Sequence, residues 1–168
     1  MWQLQAAALT GWAVHGLHLG YPNLVIPNLI SVAGAVLVLG LIRRDRSIPL
    51  GRLLWLPLVV AVALIGIEFI APGTTFGIAA TIPLAIGVLA QSRDLISAPD
   101  ISGVSPVFLA LLLLTQVLWL GWSLLIGDVA VTVSGATLGA LCTFNLVQYR
   151  RRTAAAAAQA PDAVVPDH

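Results

Sequence analysis

Two stretches of the chain, GWAVHGLHLGY (residues 11–21) and LWLGWSLLIGD (residues 118–128), have the same layout and lie 107 positions apart. Each has a tryptophan at its second position and a glycine at its tenth, and each stands between two long apolar runs. A pair of arginines closes the second run in both copies, at 43–44 and at 150–151. Because a glycine after an apolar run ends a helix and turns the chain, the pattern predicts a repeated helix–turn–helix unit.

The composition is that of a membrane protein. Apolar residues make up 59% of the 168 residues and charged residues only 9%, whereas about a quarter of the residues in a soluble domain are charged. A membrane-spanning helix needs about 20 apolar residues, which leaves room for about six spans and for no sizeable soluble domain. We therefore expect an all-α polytopic membrane protein with six transmembrane helices at about 2–19, 24–42, 53–71, 75–91, 106–126 and 129–149.

The arginines set the expected orientation. They lie at positions 43, 44, 46, 52, 93 and 150–152, and the remaining loops carry no arginine or lysine. With six spans, all of these basic segments fall on one side, and an excess of positive charge marks the cytoplasmic side. We expect a multi-pass protein of the plasma (inner) membrane with both termini in the cytoplasm.

Several classes of function do not fit the sequence. A net charge of +1 gives no reason to expect a nucleic-acid partner, and the single Cys142 excludes an intrachain disulfide. There is no Gly-rich phosphate loop, no His-Glu-x-x-His, no nucleophile elbow and no pair of spaced carboxylates. We expect no enzyme, no cofactor and no metal site, with membrane lipid as the surrounding partner.

The second copy of the repeat resembles the three-helix repeat of the SWEET, SemiSWEET and PQ-loop transporters. In the first copy, WAVHG (12–16) and IPN (26–28) resemble the family's second and third helices. The motifs of the second copy are the loop DISGVS (100–105), the pairs LW (118–119) and WS (122–123), the turn GD (127–128) and the basic end YRRR (149–152).

The resemblance implies a 2+1+3 arrangement of helices. Residues 74–152 would form a full three-helix repeat, residues 1–46 the last two helices of another, and residues 47–73 a linker helix. The family's full form has seven spans, so its first helix is missing here, and an in-frame apolar segment upstream of Met1 would show a misassigned start codon. Residues 153–168 are expected to be a disordered cytoplasmic tail, whose alanines can continue the sixth helix for a turn or two.

The resemblance also implies facilitative transport (uniport) of a small polar solute of the sugar type by alternating access. In the family a Trp and an Asn from each repeat face the central cavity. The matching residues here are Trp12 with Asn28, and Trp119 with Ser134 or Gly135. An aromatic face stacks on a sugar ring, and an amide binds its hydroxyls. The alternative place for the two tryptophans is an interfacial aromatic belt, although both lie in mid-helix.

Hinge and gate positions come from two further groups of residues. The family's Pro-Gln pair appears as Ala90-Gln91, with Pro83 as a kink two turns earlier, and Pro27 frees a backbone carbonyl that Asn28 can bind. Toward the outer end, His15 and His18 share one helix face, and Glu68 lies on the third helix. One hypothesis pairs Glu68 with a histidine in a pH-sensitive outer gate; the other lets it reach the interface.

A different class of function stays open at this point. An incomplete bundle need not enclose a cavity, so the chain is alternatively an accessory or assembly membrane protein, or a subunit that completes its cavity as a homo-oligomer. The scarcity of charge within the spans favours uniport over an ion-coupled pump. Asp128 is expected to cap the sixth helix and Asp100 the fifth.

Overall fold

The computed structural model describes residues 1–159, and this part of the chain is all α-helical, as its composition predicts. Seven of the twelve predicted starts and ends shift, and the largest shifts are at the ends of α2, α4 and α6, which run further at the arginine-rich side. The six helices are α1 (Trp2–Leu19), α2 (Pro22–Arg46), α3 (Leu50–Ile70), α4 (Gly73–Ser97), α5 (Pro106–Ile126) and α6 (Val129–Gln159). Residues 153–159 continue α6, as the alanines of the tail allow, and the rest of the predicted tail lies outside the described residues.

Five helices, α2 to α6, are long and apolar enough to cross a membrane, which is the pattern of a membrane-embedded, multi-pass protein. The side chains they turn outward are apolar, as lipid contact requires; Ile30 is 68% exposed, Val62 68% and Leu125 87%. The shorter α1 does not belong to this group. It packs against α2, α3 and α4, so that its glutamines are half-buried and His15 is buried, whereas His18 at its C-terminal end stays exposed.

Successive helices run in opposite directions, which gives the bundle two chemically different ends. The arginine end carries every arginine of the chain, at 43, 44, 46, 52, 93 and 150–152. The opposite end, called the distal end here, holds the α1–α2, α3–α4 and α5–α6 turns.

The helices form two groups with a gap between them. In the first bundle, α2 and α3 pack on α1; in the second bundle, α4 and α5 pack on α6. The bundles meet where α1 and α3 contact α4, whereas the backbone of α2 approaches none of α4, α5 or α6 within the described residues. This one-sided contact leaves space between α2 and the second bundle.

The predicted repeat is present in the geometry of the two distal turns. Gly20 follows α1 with φ 73° and ψ 31°, and Gly127 follows α5 with φ 76° and ψ 22°, the left-handed conformation that glycine adopts without strain. In each turn the next N–H bonds back five residues, from Tyr21 to Gly16 O at 2.8 Å and from Asp128 to Ser123 O at 3.0 Å. The two units therefore share their turn, although α1 is central in one bundle and α6, the counterpart of α2, in the other.

Gly77 sets how closely α4 approaches α6. A Cβ at this position would lie 2.6 Å from Ala130 Cα and 2.7 Å from Ala130 O, closer than real atoms pack. Because both of these atoms are backbone, the clash is relieved only by moving one helix away from the other. The helix pair at the centre of the second bundle therefore depends on the missing side chain.

Gly77→Ala should push α4 away from α6 and lower the free energy of unfolding by about 1–3 kcal/mol, the usual cost of overpacking. The measurement is the thermal unfolding midpoint in detergent. Gly66→Ala is the matched control, since a Cβ there meets nothing within 4 Å. Equal midpoints for the two variants would contradict the close approach.

A cavity between the bundles and its distal closure

The gap between the bundles is a cavity of about 680 Å³. Its size is within the range of about 300–1,000 Å³ that is usual for small-molecule sites. It is lined from α1, α2, α4, α5 and α6. The structure thus brings together five helices around one space, and only α3 takes no part in its wall.

Every substrate-binding residue suggested by the family resemblance lies on this wall, along with three of the hinge positions. They are Trp12, Pro27, Asn28, Pro83, Gln91, Trp119, Ser134 and Gly135. The other gate candidates, His15, His18 and Glu68, do not line the cavity and lie together beyond its distal end. The predicted residues therefore separate into a cavity set and a distal set.

The two tryptophans of the repeat are placed unequally. Trp12 is 5% exposed and packs edge-to-face on Phe76 with ring centroids 5.1 Å apart. Trp119 is half-buried and meets Trp122 edge-on at 5.7 Å. Both tryptophans lie at the wall of the cavity. Trp119 offers it the larger surface, whereas most of Trp12 is core.

Asn28 is buried and oriented by its own helix. Its Nδ2 donates to Leu24 O at 2.7 Å, rather than to the Asn23 carbonyl that Pro27 leaves without a donor. Within residues 1–159 no protein donor reaches its Oδ1. An oriented amide oxygen at a cavity wall is suited to accept a hydrogen bond from a hydroxyl.

Ser134 and Gly135, the counterparts of Asn28, differ in what they do. Ser134 is buried at the cavity wall. At Gly135 a Cβ would lie 3.2 Å from Leu120 N, so the absence of a side chain lets α6 approach α5. A binding role for Gly135 is therefore limited to its backbone, and its main effect is on helix packing.

Gln91 is held in place by a residue that the sequence analysis missed. Asn145, fully buried on α6, donates from Nδ2 to Gln91 Oε1 at 3.0 Å and accepts at Oδ1 from Ser92 Oγ at 2.5 Å. Its Nδ2 also reaches Val88 O at 3.3 Å. An asparagine within an apolar helix is a signal for such an interhelical network.

The polar groups of the lining are amides and hydroxyls, with one carboxylate at the arginine end. They come from Gln5, Asn28, Ser31, Gln91, Asp94, Thr115, Gln116 and Ser134. The lining includes no arginine, lysine or histidine side chain. Such a surface suits a neutral polyhydroxylated solute, because amides and hydroxyls both donate to and accept from hydroxyl groups.

The distal closure, defined here by His15, Tyr21, Trp122 and Asp128, joins the two bundles at one end. His15 Nε2 lies 3.2 Å from Asp128 Oδ2, and no other side-chain hydrogen bond links the bundles within residues 1–159. The Tyr21 and Trp122 rings meet edge-to-face at 5.3 Å. At the arginine end no such pair of side chains connects the two bundles within residues 1–159.

Glu68 extends the closure into a buried cluster. Its Oε2 lies 2.8 Å from His15 Nδ1 and its Oε1 lies 2.7 Å from His18 Nδ1. The Glu68, Asp128 and His15 side chains are only 4–5% exposed, whereas that of His18 is 46% exposed. The structure thus places the Glu68 carboxylate against both histidines.

Asp128 does cap α6, and it does more. Its Oδ1 accepts from Val131 N at 3.0 Å while Oδ2 faces His15. Burial favours its neutral form, but the hydrogen bonds from His15 and the Val131 N–H outweigh burial, and the pKa of Asp128 lies below its ordinary value. The carboxylate is therefore ionised at neutral pH.

Asp100 does not cap α5, contrary to expectation. Ser105 is the cap and accepts from Phe108 N at 3.3 Å. Asp100 instead accepts from the hydroxyl and the N–H of Ser102, and these two bonds lower the pKa of its exposed carboxyl group.

A metal-binding role does not suit the cluster, since both ring nitrogens of His15 already face carboxylates. No group of three or more metal-ligating side chains suited to an ion occurs in the described part of the chain.

Comparison of the chain with protein-family models, with curated proteins and with solved structures finds no match.

Water in the cavity is testable with cysteine variants in a Cys142→Ser background. Ser31→Cys, exposed on the cavity wall, should react readily with a charged thiol reagent, because thiols react as hydrated thiolates. Val62→Cys, equally exposed but on the outer face of α3, should react slowly because lipid covers it. Slow reaction at both positions would show that the cavity is dry.

Proposed function

We propose that this protein carries a small neutral polar solute, of the sugar type, across a membrane by alternating access. The observation that supports it most is the cavity with one closed end, situated between two bundles that touch on one side only. Movement of one bundle against the other would open the distal end and close the arginine end. Transporters built from repeats bind their substrates at this kind of inter-repeat site.

The proposed topology has all six helices crossing the membrane, in the 2+1+3 arrangement of the SWEET-type resemblance. α1, which is less apolar than the others, would cross the membrane while packed against α2, α3 and α4. With the arginine end in the cytoplasm, both ends of the six-helix array are cytoplasmic. The cavity then faces the cytoplasm, which corresponds to an inward-open state.

Solute binding would use the oriented Asn28 amide, the Trp119 ring and the hydroxyl of Ser134. The first offers an unoccupied acceptor, the second an apolar face for the C–H surface of a sugar, and the third a donor from the other bundle. Because the contacts come from both bundles, a bound solute would bridge them and favour their joint movement.

Uniport fits the placement of charge. The ionisable cluster beyond the distal end is separated from the cavity by Trp12 and Phe76, which pack directly against His15. The one charged side chain on the lining, Asp94, lies at the arginine end. An ion travelling with the solute would therefore meet no ionisable group at the centre of the cavity.

Asn28→Ala should lower counterflow uptake of the best-carried labelled sugar in proteoliposomes about tenfold, since one lost hydrogen bond is worth roughly 1–1.5 kcal/mol. Asn23→Ala is the matched control: it removes the same amide from the same helix at an exposed position off the cavity wall.

Equal uptake by both variants would move the binding site away from Asn28. No uptake of any sugar or polyol by folded wild-type protein would overturn the carrier proposal in favour of an accessory membrane protein, or of a subunit that needs a second copy.

A further inference from the structure

We propose that His15, His18, Glu68 and Asp128 form a proton-binding site that locks the two bundles together at the distal end. The ligand of this site is a proton, and binding of the proton completes the hydrogen bond between His15 and Asp128. The lock exists whether or not the cavity carries a solute; only its effect on transport rests on the proposed function.

The number of hydrogen atoms needed for the two contacts of the His15 ring supports this proton-binding site. His15 has a carboxylate oxygen 2.8 Å from Nδ1 and another 3.2 Å from Nε2. A neutral imidazole has one N–H, and a carboxylate has none, so a neutral ring can complete only one of these contacts. At the other contact a nitrogen lone pair would face a carboxylate oxygen. The observed geometry therefore contains one proton beyond those of neutral His15 and two carboxylates.

The third contact needs no additional proton. Neutral His18 with its hydrogen on Nδ1 donates to Glu68 Oε1 at 2.7 Å. Since this ring is half exposed at the distal end, it connects the buried carboxylate to solvent on that side. Protons can thus reach the cluster from the distal face through His18.

Few other charges act on the cluster. α3 contributes Glu68, the α5–α6 turn contributes Asp128, and the α1–α2 turn contributes Tyr21, whose ring meets Trp122 edge-to-face. α4 presents Phe76, stacked on the His15 ring at 4.8 Å, and no ionisable side chain at this end. The other charged side chains of the six helices are at the arginine end: Arg43, Arg44, Asp45, Arg46, Arg52, Arg93, Asp94, Arg150, Arg151 and Arg152.

Loss of the proton weakens the joint between the bundles. Glu68 and His15 belong to the first bundle, so a neutral ring can keep its bond to Glu68 within that bundle and release Asp128 of the second. Glu68 would keep the His15 and His18 donors, whereas buried Asp128 would keep only backbone N–H donors such as that of Val131 and lose its one side-chain partner, which is costly in a low dielectric. Alkaline conditions on the distal side should therefore open the closure.

The cluster senses protons without carrying them across. Trp12 and Phe76 separate His15 from the cavity, and the exposed member His18 faces the distal side. Protons enter and leave on the same side, so the lock would regulate a uniporter by pH without making it a proton symporter.

Two conservative substitutions should keep the distal end closed at high pH, whereas a substitution that only damaged the cluster would open it. In Asp128→Asn the new amide can donate to the bare Nε2 of neutral His15, while the side-chain oxygen still caps α6. In Glu68→Gln the amide can donate to Nδ1 while Nε2–H bonds to Asp128. Either change lets a neutral His15 complete both contacts, so the lock no longer needs the extra proton.

The test is the distance between spin labels at Leu19→Cys and Leu125→Cys, exposed distal positions in the two bundles, in a Cys142→Ser background. Wild type should show a single short distance at about pH 5. A second population with a longer distance should appear and increase as the pH is raised toward about pH 9. Asp128→Asn and Glu68→Gln should keep the short distance at all pH values. Asp94→Asn, a carboxylate at the arginine end, should behave as wild type.

A pH-independent wild-type distance, or a longer distance in the two amide variants at low pH, would overturn the lock. Failure of sugar uptake alone would not, because the spin-label distance is measured without any solute. Conversely, uptake that depends on Asn28 together with a distal distance that does not change with pH would leave the carrier standing and remove the lock.

Discussion

The arrangement of this molecule depends on a buried imidazole that has a carboxylate on each ring nitrogen, one from its own bundle and one from the other. The hydrogen bond between His15 and Asp128 is the side-chain hydrogen bond that crosses between the bundles within residues 1–159, and it lies at the distal end. Elsewhere within residues 1–159 no side-chain hydrogen bond crosses between the bundles, so none bridges the cavity. The alternating access that we propose would require this contact to break when one bundle rocks against the other.

α1 is the element that makes this joint possible. A helix exposed to lipid has little tolerance for two histidines and two glutamines, because polar groups in hydrocarbon are costly. Surrounded by α2, α3 and α4, α1 can present His15 to Glu68 and Asp128 on one side and Trp12 to the core on another. The lower hydropathy of α1 is therefore compatible with its central position. In that position α1 contributes residues both to the cavity wall and to the distal closure.

Much of this was predictable, for identifiable reasons. The helices follow from apolar runs and turn residues, and the distal turns follow from Gly20 and Gly127, which adopt the same left-handed conformation. The resemblance of Trp12, Asn28 and Trp119 to a transporter repeat brought together residues that do line one cavity. Local signals of this kind survive in a single sequence because they depend on neighbours in the chain.

The tertiary partners were not predictable in the same way. Asp128 was recognised as a helix cap, but its bond to His15 depends on how the bundles meet, 113 residues apart in sequence. Asn145, which positions Gln91, has no counterpart in the first copy of the repeat, where Val38 stands at the same offset. The repeat also gave no sign that α1 would be central in one bundle and α6 in the other, since that choice depends on packing of whole helix faces.

The most direct test of the account is the distance across the arginine end, between spin labels at Leu41→Cys on α2 and Val107→Cys on α5, both exposed. If the bundles pivot about the distal closure, conditions that lengthen the distal distance should shorten this one in the same molecules. An arginine-end distance that stays constant while the distal end opens would contradict alternating access and leave a static membrane bundle with a pH-sensitive contact.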